Sequence, residues 1–320
     1  MMSARRSSSG FTLVELMVAL AILGVITSQL MMVFTTQRRV ATVNNRVLDV
    51  QAGARLVLDL VSYDARMAGF LVPRAAGISS SDGGAAGPDR LCISDSSYFD
   101  APLDGTASAT LDNRAEHFAN AKLTDVQPTN IQVQGLDIDE GGAGIDFVVG
   151  DGVIISDGNR SHCAEIASIA GLQINLVAAH TMAAGLFVTM ANVRAVPAIV
   201  YEVNPATLVL TRNGIALSTS VEDLQVEFWV DNQIQDGVES AVEFPIHDLN
   251  ADPGGGWLID TELIRRVRVS VVTRTDSGDQ QVEEQFNRFR RPAVANRDVG
   301  ALDQFRRRRF TASISPRNLF

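Results

Sequence analysis

Gly10-Phe11-Thr12-Leu13-Val14-Glu15 decides the fold, because it joins a short basic leader to a long apolar run. From Leu16 to Gln37 the chain carries no charge over 22 residues. As a helix this stretch rises about 33 Å at ~1.5 Å per residue, enough to cross a hydrocarbon core of ~30 Å. Ahead of it, Met1 to Gly10 holds Arg5 and Arg6 and no acid. Positive charge on that flank keeps an N-terminus in the cytoplasm and sends the following chain outward. A secretory signal peptide is the first competitor, with Ala19-Leu20-Ala21 resembling its cleavage site. Cutting there would leave the apolar Ile22 to Val33 at the new terminus, and the run begins with an acid, so a retained span is the better reading. That acid is Glu15. A carboxylate at membrane depth costs on the order of 3 kcal/mol and usually has a partner or a task.

A basic leader ending in Gly10, then Phe11, then Glu15 ahead of an apolar stretch, resembles the class III signal of type IV prepilins. The resemblance implies cleavage after Gly10 and N-methylation of Phe11 by the prepilin peptidase. It also supplies a partner for Glu15. Cleavage creates a positive amino group at Phe11, and in a helical filament the carboxylate of one subunit can meet the terminus of its neighbour. A buried pair of this kind sets register, since its loss leaves an uncompensated charge. The expected fold is α+β and type IV pilin-like, a long N-terminal helix, transmembrane and then amphipathic, packed on a mainly antiparallel β-sheet head. The expected boundaries are a cleaved leader at 1–10, the transmembrane half at 11–37, the amphipathic half at 38–70 and a periplasmic head at 71–320.

Periodicity carries the helix past the membrane. Val40, Val43, Val47, Val50, Ala54, Val57 and Val61 recur at alternating steps of three and four, while Arg38, Arg46, Arg55, Asp59 and Arg66 lie off that stripe. Gly53 lowers helix propensity by about 1 kcal/mol without breaking the pattern. Gly69 and Pro73 supply the stop. A two-stranded coiled coil would use the same stripe, but the long remainder of the chain is available to cover it. Met32 stands where many major pilins carry a kinking proline, so any melting of the helix falls elsewhere, near Thr27-Ser28-Gln29. Beyond it, alternation and turn residues predict strands at 131–134, 145–149, 153–155, 172–177, 185–203, 207–211 and 224–230, and around Val267, Val269 and Val271. Ile145 to Val149 and Val153 to Ile155 read as a hairpin about Gly150-Asp151-Gly152.

Composition narrows the function. At 46% apolar and 20% charged, the chain belongs with folded proteins. Residues 75–260 hold 6 basic against 26 acidic side chains, which argues against general nucleic-acid binding, since phosphate recognition needs clustered cations. His117, His162, His180 and His247 show no zinc-ligand spacing, and neither a nucleophile motif nor a phosphate loop occurs, so no enzyme activity and no cofactor are expected. Asp137, Asp139, Glu140 and Asp146 form a weak calcium candidate, without the fixed order of an EF-hand and better read as a solvated acidic turn. Cys92 and Cys163, the only cysteines, both follow the span and are expected to form one disulfide on the oxidising side, the alternative being two buried thiols. Arg306 to Arg309 suggest an anion patch, but pairing of two of them with the acidic middle of the same head is the preferred reading.

Three C-terminal blocks carry a second resemblance. They are Val221 to Phe228, Ile264 to Arg274, and Arg307 to Thr311 with the late Arg317-Asn318, and they are similar to the PilW family of minor pilins and pilus assembly proteins. This implies a protein that joins other minor pilins and the major pilin to initiate or cap a type IV pilus, with a large tip adhesin as a further partner. It would support twitching motility, adhesion or DNA uptake. A J-type minor pseudopilin of type II secretion would share the N-terminus and fold, and a bitopic periplasmic binding protein outside any filament is the third reading. The expected location is the inner membrane and its lipid, single-pass with the N-terminus cytoplasmic, and then the pilus.

Overall fold

The computed structural model describes residues 12–70, 72, 76–85, 87–94, 121–137, 145–158, 160–183, 186–187, 193–230, 244–246, 264–275, 289–303 and 305–318. The chain divides into two units, one ending at Asp49 and one beginning at Val50. Helix α1, Leu13–Met67, starts in the first and ends in the second.

In the first unit the apolar stretch of α1 lies open. Leu16, Leu20, Leu23, Ile26, Leu30 and Phe34 are all exposed, and the helix is long and apolar enough to cross a membrane. Its hydroxyl side chains are satisfied locally. Thr27 Oγ1 donates to the Leu23 carbonyl and Ser28 Oγ to the Val25 carbonyl, each at 2.8 Å, and Thr35 and Thr36 both donate to the Met32 carbonyl at 2.9 Å. A hydroxyl bonded to its own helix leaves nothing unpaired in lipid. The helix accordingly runs unbroken through Thr27-Ser28-Gln29.

In the second unit the predicted stripe becomes a buried face. Ala54, Val57, Leu58, Val61 and Ala65 are buried, at the spacings that put them on one side of a 3.6-residue helix. Gly69 adopts φ 80°, the left-handed conformation favoured just past a helix end, and its N–H donates to the Ser94 carbonyl at 2.9 Å.

The head is built from antiparallel strands. In chain order the first ten are β1 (Ile78–Ser81), β2 (Arg90–Ile93), β3 (Leu123–Gln127), β4 (Asn130–Val133), β5 (Gly152–Ser156), β6 (Ser161–Ala170), β7 (Gln173–Leu176), β8 (Arg194–Asn204), β9 (Val209–Arg212) and β10 (Ile215–Ser218). The remainder are β11 (Val221–Val230), β12 (Phe244–Ile246), β13 (Ile264–Arg274), β14 (Phe289–Arg290), β15 (Leu302–Asp303) and β16 (Arg307–Ile314). The first ten make one sheet in the order β1-β2-β8-β5-β6-β7-β4-β3, with β9 also paired to β8 and β10 to β9. A second sheet runs β12-β11-β13-β16, and β14 and β15 form a short ribbon.

The large sheet curls on itself. Two strands separate β2 from β6 in the sheet order, yet Cys92 and Cys163 are joined by a disulfide with Cα atoms 5.6 Å apart, and Ser79 Oγ bonds Ser161 Oγ at 2.9 Å. Both cysteines are fully buried, so the link crosses the interior of the curl. The second sheet alternates as its sequence requires. Leu224, Val226 and Phe228 of β11 and Val267, Val269 and Val271 of β13 point inward and meet Val57, Leu58, Val61 and Ala65 of α1 in one core with Ile78, Leu91, Ile199 and Tyr201. Gly53 belongs to this contact, because a Cβ there would lie 3.3 Å from Ser218 Oγ of β10.

The predicted hairpin at 145–155 needs correction. Ile145 to Val149 form no strand. Phe147 is buried while Ile145, Val148 and Val149 are exposed, and the segment closes as a turn in which Asp151 N–H donates to the Val148 carbonyl at 3.1 Å. β5 pairs instead with β6 and β8. A short apolar run gives a strand-like pattern whether or not a neighbour is present to accept its backbone bonds. The predicted strand at 185–203 is likewise shorter, beginning at Arg194.

Candidate functional site: the N-terminal helix and its anchorage

The motif glutamate has a defined local role. Glu15 occupies the third position of α1, and its Oε2 accepts from Thr12 N–H and from Thr12 Oγ1, both at 3.0 Å. Glu15 N–H donates back to Thr12 Oγ1 at 3.3 Å. This is a reciprocal capping box, which satisfies two of the backbone donors a helix start leaves open and places a negative charge at the positive end of the helix dipole. Its sequence signal is Thr12-Leu13-Val14-Glu15, a hydroxyl residue followed three places on by a glutamate, which membrane-depth reasoning about Glu15 does not use. Gly10 and Phe11 lie outside the described residues.

At the other end a buried charge holds α1 to the head. Asp64, 4% exposed, accepts from the Tyr201 hydroxyl of β8 at 2.6 Å and from Arg212 Nε of β9 at 3.0 Å. Burial and the Asp64 carboxylate both push the Tyr201 phenol well above its ordinary range. Burial alone would weaken the Arg212 charge, but Asp64 reverses that and raises it. A single helical side chain thus fixes two strands, and the apolar stripe around it excludes water from the contact.

Three more carboxylates are gripped by arginines from the C-terminal region. Asp223, fully buried on the outer side of β11, accepts from Arg291 at 3.0 Å and Arg297 at 2.5 Å. Arg307, one of the arginine run, lies between Glu222 and Asp303 with four bonds of 2.5 to 3.0 Å. Bidentate contacts of this sort are geometrically selective. Arg307 therefore ties into the acidic middle of the head, as the sequence reading preferred for part of that run.

His162 and His180, which sequence spacing kept apart, converge. His162 Nε2 lies 3.0 Å from the His180 carbonyl, and the His180 ring sits between Glu165 of β6 and Glu202 of β8. Glu165, His180 and Glu202 bring their ligand atoms within 4.8 Å of one another, a metal-capable grouping. The hydrogen bonds do not fit a metal, however. Glu165 N–H donates to His180 Nδ1 at 3.1 Å, so in the neutral ring the proton is on Nε2, where it faces Glu202 Oε1 at 3.2 Å. A metal on Nε2 would need that proton moved to Nδ1, against an N–H donor. Arg90 also reaches the same Glu202 oxygen at 3.3 Å and supplies positive charge already. Burial opposes the Glu202 charge, but His180 and Arg90 outweigh it and hold its carboxyl low. No sequence signal reveals this cluster, because the β6–β7 hairpin and β8 assemble it. Of the calcium candidates, Asp139 and Glu140 lie outside the described residues. Asp137 and Asp146 are near in space, Asp146 N–H donating to the Leu136 carbonyl at 3.1 Å, and neither belongs to a metal-capable group among the described residues.

Residues 5–28 match the family described as Prokaryotic N-terminal methylation motif. No curated protein and no solved structure matches the chain. The methylation motif, the apolar span behind it and the curled antiparallel head on its amphipathic continuation are together the features of a type IV pilin-like prepilin.

Proposed function

We propose that the chain is a minor pilin of the PilW type, which joins other minor pilins and the major pilin to initiate or cap a type IV pilus and takes no part in enzymatic chemistry. The observation that carries this reading is the methylation motif over residues 5–28 on a helix whose apolar span is wholly exposed. After cleavage beyond Gly10, the span anchors the chain in the inner membrane and then enters a filament, with Glu15 meeting the methylated amino terminus of a neighbour. Of the C-terminal arginines, Arg307 of the third block and Arg291 and Arg297 ahead of it act within the head.

The capping box sharpens the test, because Glu15 has two separable properties. Glu15→Gln keeps a side chain that can complete the box and removes only the charge, whereas Thr12→Ala weakens the box by about 1 kcal/mol and keeps the charge. Glu15→Gln is expected to be cleaved normally at Phe11 and to be lost from a detergent-solubilised complex with partner pilins, while Thr12→Ala stays in it. Mass spectrometry of the N-terminus and co-purification read the two outcomes. Wild-type recovery of Glu15→Gln in that complex would remove the assembly role from the carboxylate, and an unprocessed N-terminus in cells with active prepilin peptidase would remove the pilin reading itself.

A further inference from the structure

The loop between β1 and β2 closes on the edge of β11, where Asp89 N–H donates to the Leu224 carbonyl at 2.8 Å. Asp89 is 1% exposed. Its carboxylate accepts from Gly83 N–H at 2.9 Å and Val226 N–H at 2.7 Å and has no cation partner among the described residues. Asp82, at the start of the loop, accepts from Gly84 N–H at 2.6 Å and from Asn296 Nδ2 at 2.8 and 2.9 Å, and is likewise without a cation partner among the described residues. The arginines that enter this junction, Arg291 and Arg297, both bind Asp223 instead. Two amide oxygens are orphaned here as well. Gln225, 0% exposed, lies between the loop and Asp223, its Nε2 donating to the Gly87 carbonyl and to Asp223 Oδ1, both at 3.1 Å, while its Oε1 has no partner. Asn296 Oδ1 is also buried and unpartnered. Buried acceptors ordinarily meet a donor or a positive ion, and buried charges are paired or coordinate metals.

We propose that this junction binds a calcium-class cation, with the Asp89 carboxylate and the amide oxygens of Gln225 and Asn296 as its protein ligands and Asp82 as the second negative charge. A water bridging the two amides would satisfy them and leave Asp89 a buried, uncompensated carboxylate; a cation answers both. A carboxylate accepts through about four lone-pair sites, so Asp89, with two N–H donors, keeps about two for a metal. Asp82 holds the Asn296 amide by its nitrogen, which orients the amide oxygen as partners outside a metal's ligand shell do. The donors are all oxygens, which excludes a soft ion. Calcium takes about six to eight oxygens in flexible geometry, with water completing the shell, whereas magnesium demands a near-ideal octahedron that two amides and one carboxylate on three separate segments do not preform. The ion would tie the β1–β2 loop to β11 and to the segment that carries β14 and β15. It lies in the head, apart from the span and its methylation motif, and does not depend on the pilin reading.

The test uses the full processed chain, solubilised in detergent, stripped with chelator and titrated with calcium chloride by calorimetry, with thermal unfolding measured alongside. One saturable equivalent is expected, with Kd about 10⁻⁴–10⁻³ M, the range of weak extracellular calcium sites, together with a rise in Tm. Magnesium at the same concentration is expected to raise Tm less. Asp89→Asn should abolish the calcium equivalent, and Asp82→Asn, at a less buried position, should weaken it and decides the matter if Asp89→Asn does not fold. A chain carrying both Asp137→Asn and Asp146→Asn, the acidic turn elsewhere in the head, should bind as wild type does. Folded wild-type protein that takes up no calcium, or a Tm rise that magnesium reproduces in full, would overturn the proposal. So would wild-type affinity in Asp82→Asn and Asp89→Asn, or loss of the equivalent in the Asp137/Asp146 variant, which would move the site to that turn.

Discussion

Arg212→Met probes whether Asp64 holds α1 to the head by charge. The substitution keeps an unbranched apolar stem and removes the guanidinium that lies 3.0 Å from Asp64 Oδ2. Asp64 is 4% exposed and would retain only the Tyr201 hydroxyl at 2.6 Å. Breaking a buried pair from one side costs about 3–5 kcal/mol, because the remaining charge stays desolvated. Arg212 is itself 31% exposed, so water can partly replace it, and the lower end, about 3 kcal/mol, is expected. For a folded unit of this size, 1 kcal/mol moves Tm by ~2–4 °C, which predicts a fall of roughly 6–12 °C. Thermal unfolding of the detergent-solubilised full chain, followed by circular dichroism and by fluorescence with Trp229 as a reporter on β11, measures it. Asp64→Asn combined with Arg212→Met removes both charges and is expected to lose less than Arg212→Met alone. A single-variant loss within the ~0.5 kcal/mol usual for surface changes, or a double variant that is simply additive, would refute the buried-charge argument.

Three further outcomes are expected. Asp89 is buried against the edge of β11, its carboxylate accepting from Val226 N–H at 2.7 Å and Gly83 N–H at 2.9 Å, and burial, aided by Asp82 and Asp223, pushes it up to about 7 from 3.8. The native state then binds this proton more tightly than the unfolded chain, so its contribution to stability falls as pH rises from 3.8 to about 7; Asp89→Asn should flatten that part of a stability–pH profile, and an unchanged slope would contradict it. Reducing the Cys92–Cys163 bond, which spans 71 residues, should lower stability by about 4 kcal/mol in chemical denaturation, and equal midpoints with and without reductant would show that the curl closes without it. Gly152→Ala places a Cβ 2.8 Å from the Ala198 carbonyl oxygen and 3.0 Å from Val200 Cβ, so a loss of ~1–3 kcal/mol is expected, with wild-type stability as the contrary result.

The helix was legible in the sequence because its determinants are local. An uncharged run from Leu16 to Gln37, apolar steps of three and four, and Gly69 at the end each act within a turn or two, and together they specify Leu13–Met67 without reference to the rest of the chain. With only two cysteines, both on the same side of the span, one intramolecular bond was the single pairing available. The capping box around Glu15 is equally local, since Thr12 and Glu15 stand three residues apart. What tertiary structure alone decided is which polar groups meet. Asp64 finds Tyr201 and Arg212 across more than 130 residues of chain, and Asp223 finds Arg291 and Arg297 across about 70. Glu165, His180 and Glu202 converge only once β6, β7 and β8 take their places. Ile145 to Val149 carried a strand pattern and became a turn, since a strand exists only where a neighbour of matching register accepts its backbone bonds. Helical hydrogen bonds close within four residues and are written in adjacent sequence; the sheet's bonds, and the charge networks laid across it, depend on partners that only the folded chain brings near.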